Sequence, residues 1–236
     1  LGDVKEINWF DTGAYRWNLV DKPLPIKEMS LNLRAAGKAV LDESAPPKSF
    51  ESYVSDPSKP VPYTQKITSN YPRDFMTEDQ RFVAGRPDVL VYQTDVLTED
   101  VTVSGDIKPE LVIASSGTDS DFIVKIIDVF PDNYSFPAGV KPPENSAWSV
   151  FHPNGYQMLL RGEPMPARFR NSFEKPEPLI PNKPTNVNFT MPAINHTFKK
   201  GHRIMVQIQS TWFPLVARNP QKFMANYKLG TKADFQ

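Results

Sequence analysis

His202 is the histidine of this sequence whose surroundings most resemble a catalytic position. It follows Gly201 and precedes a run in which Ile204, Val206 and Ile208 alternate along one face. A general base must reach a nucleophile and must be oriented by a carboxylate. No nucleophile motif accompanies His202, so the sequence predicts a structural residue at the start of a strand.

The other two histidines, His152 and His196, are predicted to lie in turns. Their spacing, 44 residues to His196 and 6 more to His202, matches no zinc signature. The G-x-S-x-G elbow that carries the nucleophile of an α/β-hydrolase occurs nowhere in the chain. The stretch SSGTDSD (115–121) has similar residues in another order, and we interpret it as a turn between strands. No catalytic residue is therefore assigned.

Four aspartates lie near one another in sequence: Asp119, Asp121, Asp128 and Asp132. They suggest calcium, yet an EF-hand loop requires D-x-[DN]-x-[DN]-G and a closing glutamate, and neither is present. Aspartates that cap turn amides are the commoner explanation. The sequence predicts no metal site and no cofactor, with calcium as the less favoured alternative.

Composition excludes several classes of protein. The chain has no cysteine, so thiol catalysis and thiolate metal sites are excluded. Lys+Arg and Asp+Glu both number 27, and the longest basic run is the pair at 199–200, so no nucleic-acid partner is expected. No apolar run approaches the ~18 residues of a membrane span. Proline, 24 of 236 residues, is about twice its usual ~5% share and favours turns between short strands.

Runs with alternating apolar residues predict a two-layer all-β sandwich. The predicted strands lie at 29–35, 88–97, 101–105, 110–116, 121–130, 156–162, 186–191 and 202–210. One short helix is expected near 78–84, with Thr77 as its N-cap, Gln80 completing a capping box and Gly85 ending it. We expect one domain over 1–236, with an irregular lead-in over 1–28.

Aromatic residues are abundant and allow two interpretations. Exposed rings could stack on sugars, whereas buried rings would fill the core of a sandwich or an interdomain surface, which is the commoner case. The residues to which these interpretations apply are Trp9, Tyr15, Trp17, Tyr53, Tyr63, Tyr71, Phe75, Trp148, Trp212 and Phe213.

Several segments, in order along the chain, resemble one known family. They are FDTGAYRW (10–17), ESYVSDPSKPVPY (51–63), the run from FMTEDQRF to VTVSG (75–105), TDSDFIVKIIDVFPD (118–132), GYQMLLRGEPMPARFR (155–170) and FKKGHRIMVQIQSTWFPLVARNP (198–220). Together they resemble the C-terminal non-catalytic region of the X-Pro dipeptidyl-peptidase-like serine hydrolases. This group includes cocaine esterase, the α-amino-acid ester hydrolases and the glutaryl-cephalosporin acylases, and the last two branches are the most similar.

The resemblance implies a galactose-binding-like jelly roll attached to a parent enzyme with three parts. An N-terminal α/β-hydrolase domain would carry the Ser–His–Asp triad, and a helical cap would cover it. This chain would begin just after the catalytic histidine, so residues 1–28 would be a lead-in from that domain and no triad residue can be assigned here. A final strand would follow residue 236. Without that strand, one edge of the sandwich would be exposed.

In the family His202 belongs to the GHRI strand entry, which agrees with a structural role. Ala217 stands where the family usually has an acid, FPxxDRNP, so the ion pair that the resemblance would imply is not assigned here. The resemblance implies a small acyl ester or amide as the substrate of the parent, allows a homo-oligomeric parent, and favours a periplasmic or secreted bacterial protein.

The segment 68–80 supplies the predicted functional residues. Tyr71, Phe75 and Met76 form an apolar group on a loop, and the resemblance implies that the comparable loop lies beside the acyl pocket. We expect them to wall the substrate pocket, with interdomain packing as an equal alternative. The leading function is thus a non-catalytic domain of a serine hydrolase that packs on the catalytic domain; the alternative is an autonomous carbohydrate-binding module.

Overall fold

A computed structural model describes residues 5–22, 25, 27–42, 49–66, 68, 72, 75–135, 153–224 and 226–235. Twelve strands are found among them: β1 (Ile7–Asp11), β2 (Arg16–Val20), β3 (Leu31–Arg34), β4 (Lys38–Leu41), β5 (Val89–Gln93), β6 (Val101–Ile107), β7 (Glu110–Ile113), β8 (Asp121–Val129), β9 (Gln157–Pro166), β10 (Thr185–Asn188), β11 (Met191–Phe198) and β12 (Arg203–Gln209). The prediction of an all-β jelly-roll sandwich is confirmed. Within the described part of the chain, no helix is long and apolar enough to cross a membrane.

One layer is a six-stranded sheet in the order β3-β4-β5-β12-β8-β9. It is antiparallel except where β4 meets β5 at Lys38 and Gln93. This sheet places β12 and β8 at its centre, where almost every residue of both strands is buried. The large sheet is therefore covered on both faces rather than on one.

The second layer is a bent two-stranded ribbon. β6 pairs with β11, and β7 pairs with β10. The two pairings share one register, because the pair Met191–Ile107 is followed by the pair Asn188–Glu110, three residues earlier on one strand and three later on the other. The core between the layers contains the inward residues of β8 and β12, among them Val124 and Val206.

The opposite face of the large sheet is covered by loops rather than by strands. Ile123, Ile127 and Met205 point to this side and pack with Tyr63 and Trp212. The covering loops are joined by backbone hydrogen bonds between residues 61–63 and 213, of 3.0 and 2.9 Å. Pro62 and Pro214 lie in this cover, where a proline removes no hydrogen bond of a regular sheet.

Four elements differ from the sequence prediction. The expected irregular lead-in contains the β1–β2 hairpin, β4 was not predicted, and the predicted strand 186–191 is divided between β10 and β11. His196 lies within β11 rather than in a turn. The misleading residue is Pro192, which interrupts the apolar pattern and is accommodated by a register shift between Met191 and Ile194.

The short helix is present, but its predicted start is wrong. Thr77 ends a 3₁₀ turn, and the α-helix spans Arg81–Ala84 with Gln80 as its N-cap residue. The Gln80 side chain makes no capping hydrogen bond because its carbonyl oxygen accepts one from the buried Lys125, at 3.1 Å. Gly85 ends the helix as predicted.

The β1–β2 hairpin is held tightly against β11. The buried Asp11 carboxylate accepts hydrogen bonds from the amides of Gly13, Ala14 and Thr197 and from the Thr197 hydroxyl. Burial opposes the charge, but these hydrogen bonds outweigh it and lower the pKa of Asp11. A side chain at Gly13 would meet the Thr197 backbone carbonyl, so this turn requires glycine.

Replacing Gly13 by alanine should loosen the hairpin. We expect Gly13→Ala to lower the free energy of unfolding by about 1–3 kcal/mol, because the added methyl group overlaps backbone that cannot move aside easily. Gly85→Ala is the matched control, since a methyl group there has no atom within 4 Å. Urea denaturation followed by tryptophan fluorescence measures both, and an equal effect of the two substitutions would contradict the close approach.

Candidate functional site

A chain of polar side chains, buried except at its end in the β1–β2 turn, crosses the sandwich near the start of β12. His202 lies one residue before β12, and its Nδ1 is 2.8 and 3.0 Å from the two carboxylate oxygens of Asp128 on β8. His196 on β11 approaches the same carboxylate with Nε2, at 3.1 Å. Its Nδ1 is 2.8 Å from the hydroxyl of Thr12, in the β1–β2 turn. We call these four residues the Asp128 network.

The carboxylate of Asp128 fixes the ring nitrogens that face it. A carboxylate only accepts, so His202 Nδ1 and His196 Nε2 both carry hydrogen toward Asp128. On the far side of His196, the hydroxyl of Thr12 lies 2.8 Å from Nδ1 and donates to the carbonyl oxygen of Asn195 at 3.2 Å.

Hydroxyl, imidazole and carboxylate follow one another here in the order of a catalytic triad. Acyl transfer also requires free backbone donors for an oxyanion. Beside Thr12 those donors are occupied: its own amide donates to the carbonyl of Asn195, and the amides of Gly13 and Ala14 donate to Asp11. The Asp128 network therefore ties the hairpin, the ribbon and the large sheet together, and His202 is at the predicted strand entry.

The acidic residues before β8 form a second polar cluster. Asp119 accepts hydrogen bonds from the Ser120 amide and the Tyr227 hydroxyl, and Arg168 lies 3.9 Å from its carboxylate. Asn219 donates to Asp121 at 2.8 Å. These contacts join the start of β8 to the C-terminal part of the chain. Among the described residues no group of three or more acids or histidines is arranged to hold a metal ion.

Asp121 is unusual because it is buried beside a second carboxylate. Burial raises its pKa to about 7; the hydrogen bond from Asn219 lowers it, the charge of Asp119 raises it further, and the Arg168 charge lowers it. The amide of Asn219 donates to Oδ1 of Asp121. The charge of Asp121 is therefore sensitive to pH near neutrality.

Lys125 on β8 is a buried group of the large sheet with the chemistry of an amine nucleophile. Burial lowers its pKa to about 7, which would leave much of the amine neutral at physiological pH. The side chain is fully buried: Nζ donates to Gln80 and lies 5.1 Å from the centre of the Trp212 ring. Gly162 on β9 leaves the space for this indole. Lys125 is sealed from any substrate, so its role is structural.

Sequence reasoning missed Lys125 and assigned His196 wrongly. The available signal for Lys125 was a single lysine inside the apolar strand DFIVKIIDV, because a lysine at the centre of such a strand needs a buried partner. His196 gave no local signal, since its partners Asp128 and Thr12 are 68 and 184 residues away.

The predicted pocket-wall residues are in different situations. Phe75 is only 8% exposed, and its ring packs 5.8 Å from Tyr63 and 6.5 Å from Trp212. Met76 is partly buried beside the same cluster. Tyr71 lies outside the described residues, as do His152 and Trp148. The pocket-wall role stays a prediction.

A large open cleft of about 2270 Å³ lies elsewhere, between the two layers. Apolar residues of both layers line it, including Leu31, Leu33, Tyr92 and Leu111, together with polar residues of β6. Neither Phe75 nor Met76 borders it. Protein interiors are close-packed, so a cleft of this size between two layers is open space where a further element could lie.

Comparison with known proteins identifies relatives over almost the whole chain. A family model, X-Pro dipeptidyl-peptidase C-terminal non-catalytic domain, matches residues 27–233. Cocaine esterase from Rhodococcus sp. (strain MB1 Bresler) is 29% identical over 229 residues, which cover 93% of this chain and 36% of the esterase.

Two solved structures share the fold at higher identity. An aminopeptidase from the marine sediment archaeon Thaumarchaeota archaeon has a TM-score of 0.84 at 36% identity and is matched over 99% of this chain and 37% of its own. A selenomethionine-labelled α-amino acid ester hydrolase has a TM-score of 0.81 at 36% identity, over 97% of this chain and 37% of its own. The chain thus spans little more than a third of the length of each of these relatives.

The Asp128 network should matter more for stability than any surface carboxylate. We expect Asp128→Asn to lower the free energy of unfolding by about 2–4 kcal/mol, because the new amide hydrogens face a ring N–H and leave buried groups unpaired. Asp106→Asn, at an exposed position of β6, should change it by less than about 0.5 kcal/mol. Chemical denaturation of both variants checks this, and equal values would show that the network contributes nothing.

Asp121 should make stability depend on pH with a defined sign. Its folded-state pKa of about 7 exceeds the ordinary value of 3.8, so the group stabilises the fold below pH 3.8 and loses this contribution as pH rises through about 7. Asp121→Asn keeps an acceptor for Asn219 and removes the charge.

The free energy of unfolding of Asp121→Asn minus that of the unsubstituted chain should therefore be larger at pH 8 than at pH 5. Parallel denaturation curves at the two pH values measure the difference. A gap that stays constant or narrows toward pH 8 would mean that Asp121 ionises normally.

Proposed function

The chain belongs to the family of X-Pro dipeptidyl-peptidase C-terminal non-catalytic domains, and from this membership we propose that its parent protein is a serine hydrolase acting on ester or amide bonds. The observation that carries the proposal is the match of fold and sequence along nearly the whole chain to an aminopeptidase and an ester hydrolase. Cocaine esterase, as its name states, also hydrolyses an ester.

The chemistry within the described residues supports an accessory rather than a catalytic role. The groups discussed above as nucleophile or base are occupied by structural partners or are sealed from solvent; they are Thr12, His196, His202 and Lys125. In the proposed parent the nucleophile would come from an α/β-hydrolase domain preceding this one, on which this domain packs.

We extend the proposal to the substrate pocket. The 3₁₀ turn Phe75–Thr77 is anchored through the buried Phe75 ring, which would hold Met76 in a fixed position at the domain surface. Loops on a rigid scaffold commonly line binding sites. Met76, together with Tyr71 five residues earlier in the sequence, would form one wall of the acyl pocket, and Phe75 would support that wall from within.

A final strand beyond residue 236 also stays a proposal. Among the described residues β6 pairs only with β11, and its other edge borders the open cleft. An additional strand there would satisfy the edge of β6 and fill the space between the layers.

The aromatic residues divide between this function and the carbohydrate-binding alternative. Tyr63, Phe75 and Trp212 are buried and serve the core, whereas Tyr15, Trp17 and Phe213 are exposed and remain available for stacking on a sugar. Affinity electrophoresis on common polysaccharides tests this alternative, and saturable retardation would favour a binding module.

The proposed function is tested on the full-length polypeptide that contains this chain. It should hydrolyse activated acyl esters or amides and be labelled by a serine-directed phosphonate outside residues 1–236. Absence of both turnover and labelling would refute the hydrolase proposal.

The pocket-wall role has a kinetic test in the same protein. Met76→Ala, Phe75→Ala and Tyr71→Ala should change the ratio of kcat/KM between small and aromatic acyl esters, since one buried methylene is worth about 1–3 kcal/mol of discrimination. Val112→Ala, at an exposed position of β7, is the control. A uniform loss of activity that follows a lowered melting temperature would indicate interdomain packing instead.

A further inference from the structure

The β1–β2 hairpin exposes an apolar face on its outer side. Cross-strand pairing places Phe10 opposite Trp17 and Asn8 opposite Leu19. Phe10, Trp17 and Leu19 are 38%, 64% and 49% exposed, and the Phe10 and Trp17 rings meet edge to face at 5.5 Å. We call these four residues the hairpin face. It contains no charged residue, and aromatic residues without charges are typical of the centre of a protein interface.

The hairpin face is presented rigidly. The Asp11 carboxylate, the contact of Thr12 with the Asp128 network and the close approach of Gly13 to Thr197 all fix the hairpin to β11. The inward residue Trp9 is partly buried on the opposite side. An exposed tryptophan on a fixed two-stranded element has lost the freedom to fold back, so its apolar area stays available to a neighbour.

We propose that the hairpin face is the surface on which the catalytic domain of the same polypeptide docks. The proposal rests on the function proposed above and adds the surface through which the two domains would meet. The matched relatives are much longer than this chain, which covers 36% or 37% of each, and the matching family is a C-terminal domain. The additional chain of such a parent would therefore lie on the N-terminal side of the matched residues 27–233, the side on which the hairpin lies.

Position along the chain selects this occupant over others. β1 is the first strand of the part of the chain that the structure describes, so a preceding domain would be joined to this one through the hairpin. Covalent attachment raises the effective concentration and favours docking over association with a separate molecule. β2, which pairs only with β1 among the described residues, also offers a free edge beside the apolar face.

Thiol labelling of the full-length polypeptide tests the proposal. The present chain has no cysteine, so Trp17→Cys introduces a thiol in the hairpin face and Phe173→Cys, at a position 75% exposed elsewhere, is the matched control. Any thiol of the preceding domain is measured in the unsubstituted protein and subtracted. We expect the thiol at position 17 to react with a small maleimide at least about tenfold more slowly, because the centre of an interface excludes solvent.

Leu19→Cys gives a second reading on the same face if Trp17→Cys does not fold. Equal labelling rates at the hairpin and control positions would overturn the proposal. Protection that appears only as protein concentration rises would identify a second copy as the occupant, and protection that requires added polysaccharide would identify a sugar; either result overturns it as well. Labelling needs no substrate, so its result stands even if the hydrolase proposal fails.

Discussion

The carboxylate of Asp128 is the group on which the arrangement of this domain depends. A buried charge costs several kcal/mol unless it is fully hydrogen-bonded, and here His202 and His196 meet that requirement from two different elements. Thr12 extends the chain of hydrogen bonds to the hairpin. Because each partner comes from a separate part of the sequence, the large sheet, the ribbon and the hairpin can satisfy Asp128 together in only one relative position.

A second constraint is that the large sheet is buried on both faces. Its inner face packs on the ribbon, whereas its outer face is closed by loops that bring Tyr63 and Trp212 over the central strands. Lys125 lies beneath this cover and needs Gln80, which fixes the start of the short helix. A single buried amine therefore determines where a loop, a helix and an indole ring lie, since none of them can move without leaving its charge or hydrogen bonds unsatisfied.

The polar residues of the domain show why reactive side chains do not by themselves make an active site. A hydroxyl–imidazole–carboxylate series, a carboxylate pair and an amine of lowered pKa are all present, and each is consumed by partners within the fold. Catalysis requires an accessible space and uncommitted donors beside the reacting atom. In this domain the buried polar groups hold the strands and loops together. The proposed functions belong instead to surface residues, those of the pocket wall and of the hairpin face.

The sequence by itself determined the sandwich, most strands, the end of the helix at Gly85 and the strand-entry position of His202, because alternation, turn residues and helix stops act over a few neighbouring residues. It also carried the family resemblance. Only the tertiary structure decided the place of His196, whose carboxylate and hydroxyl partners lie 68 and 184 residues away. The strand around Lys125 indicates that this lysine needs a partner, but the choice of Gln80 and Trp212 was decided only by the tertiary structure. The same holds for β11, where Pro192 hides a strand that pairing with β6 restores. Their surroundings are assembled by contacts distant in sequence, and no local pattern contains that information.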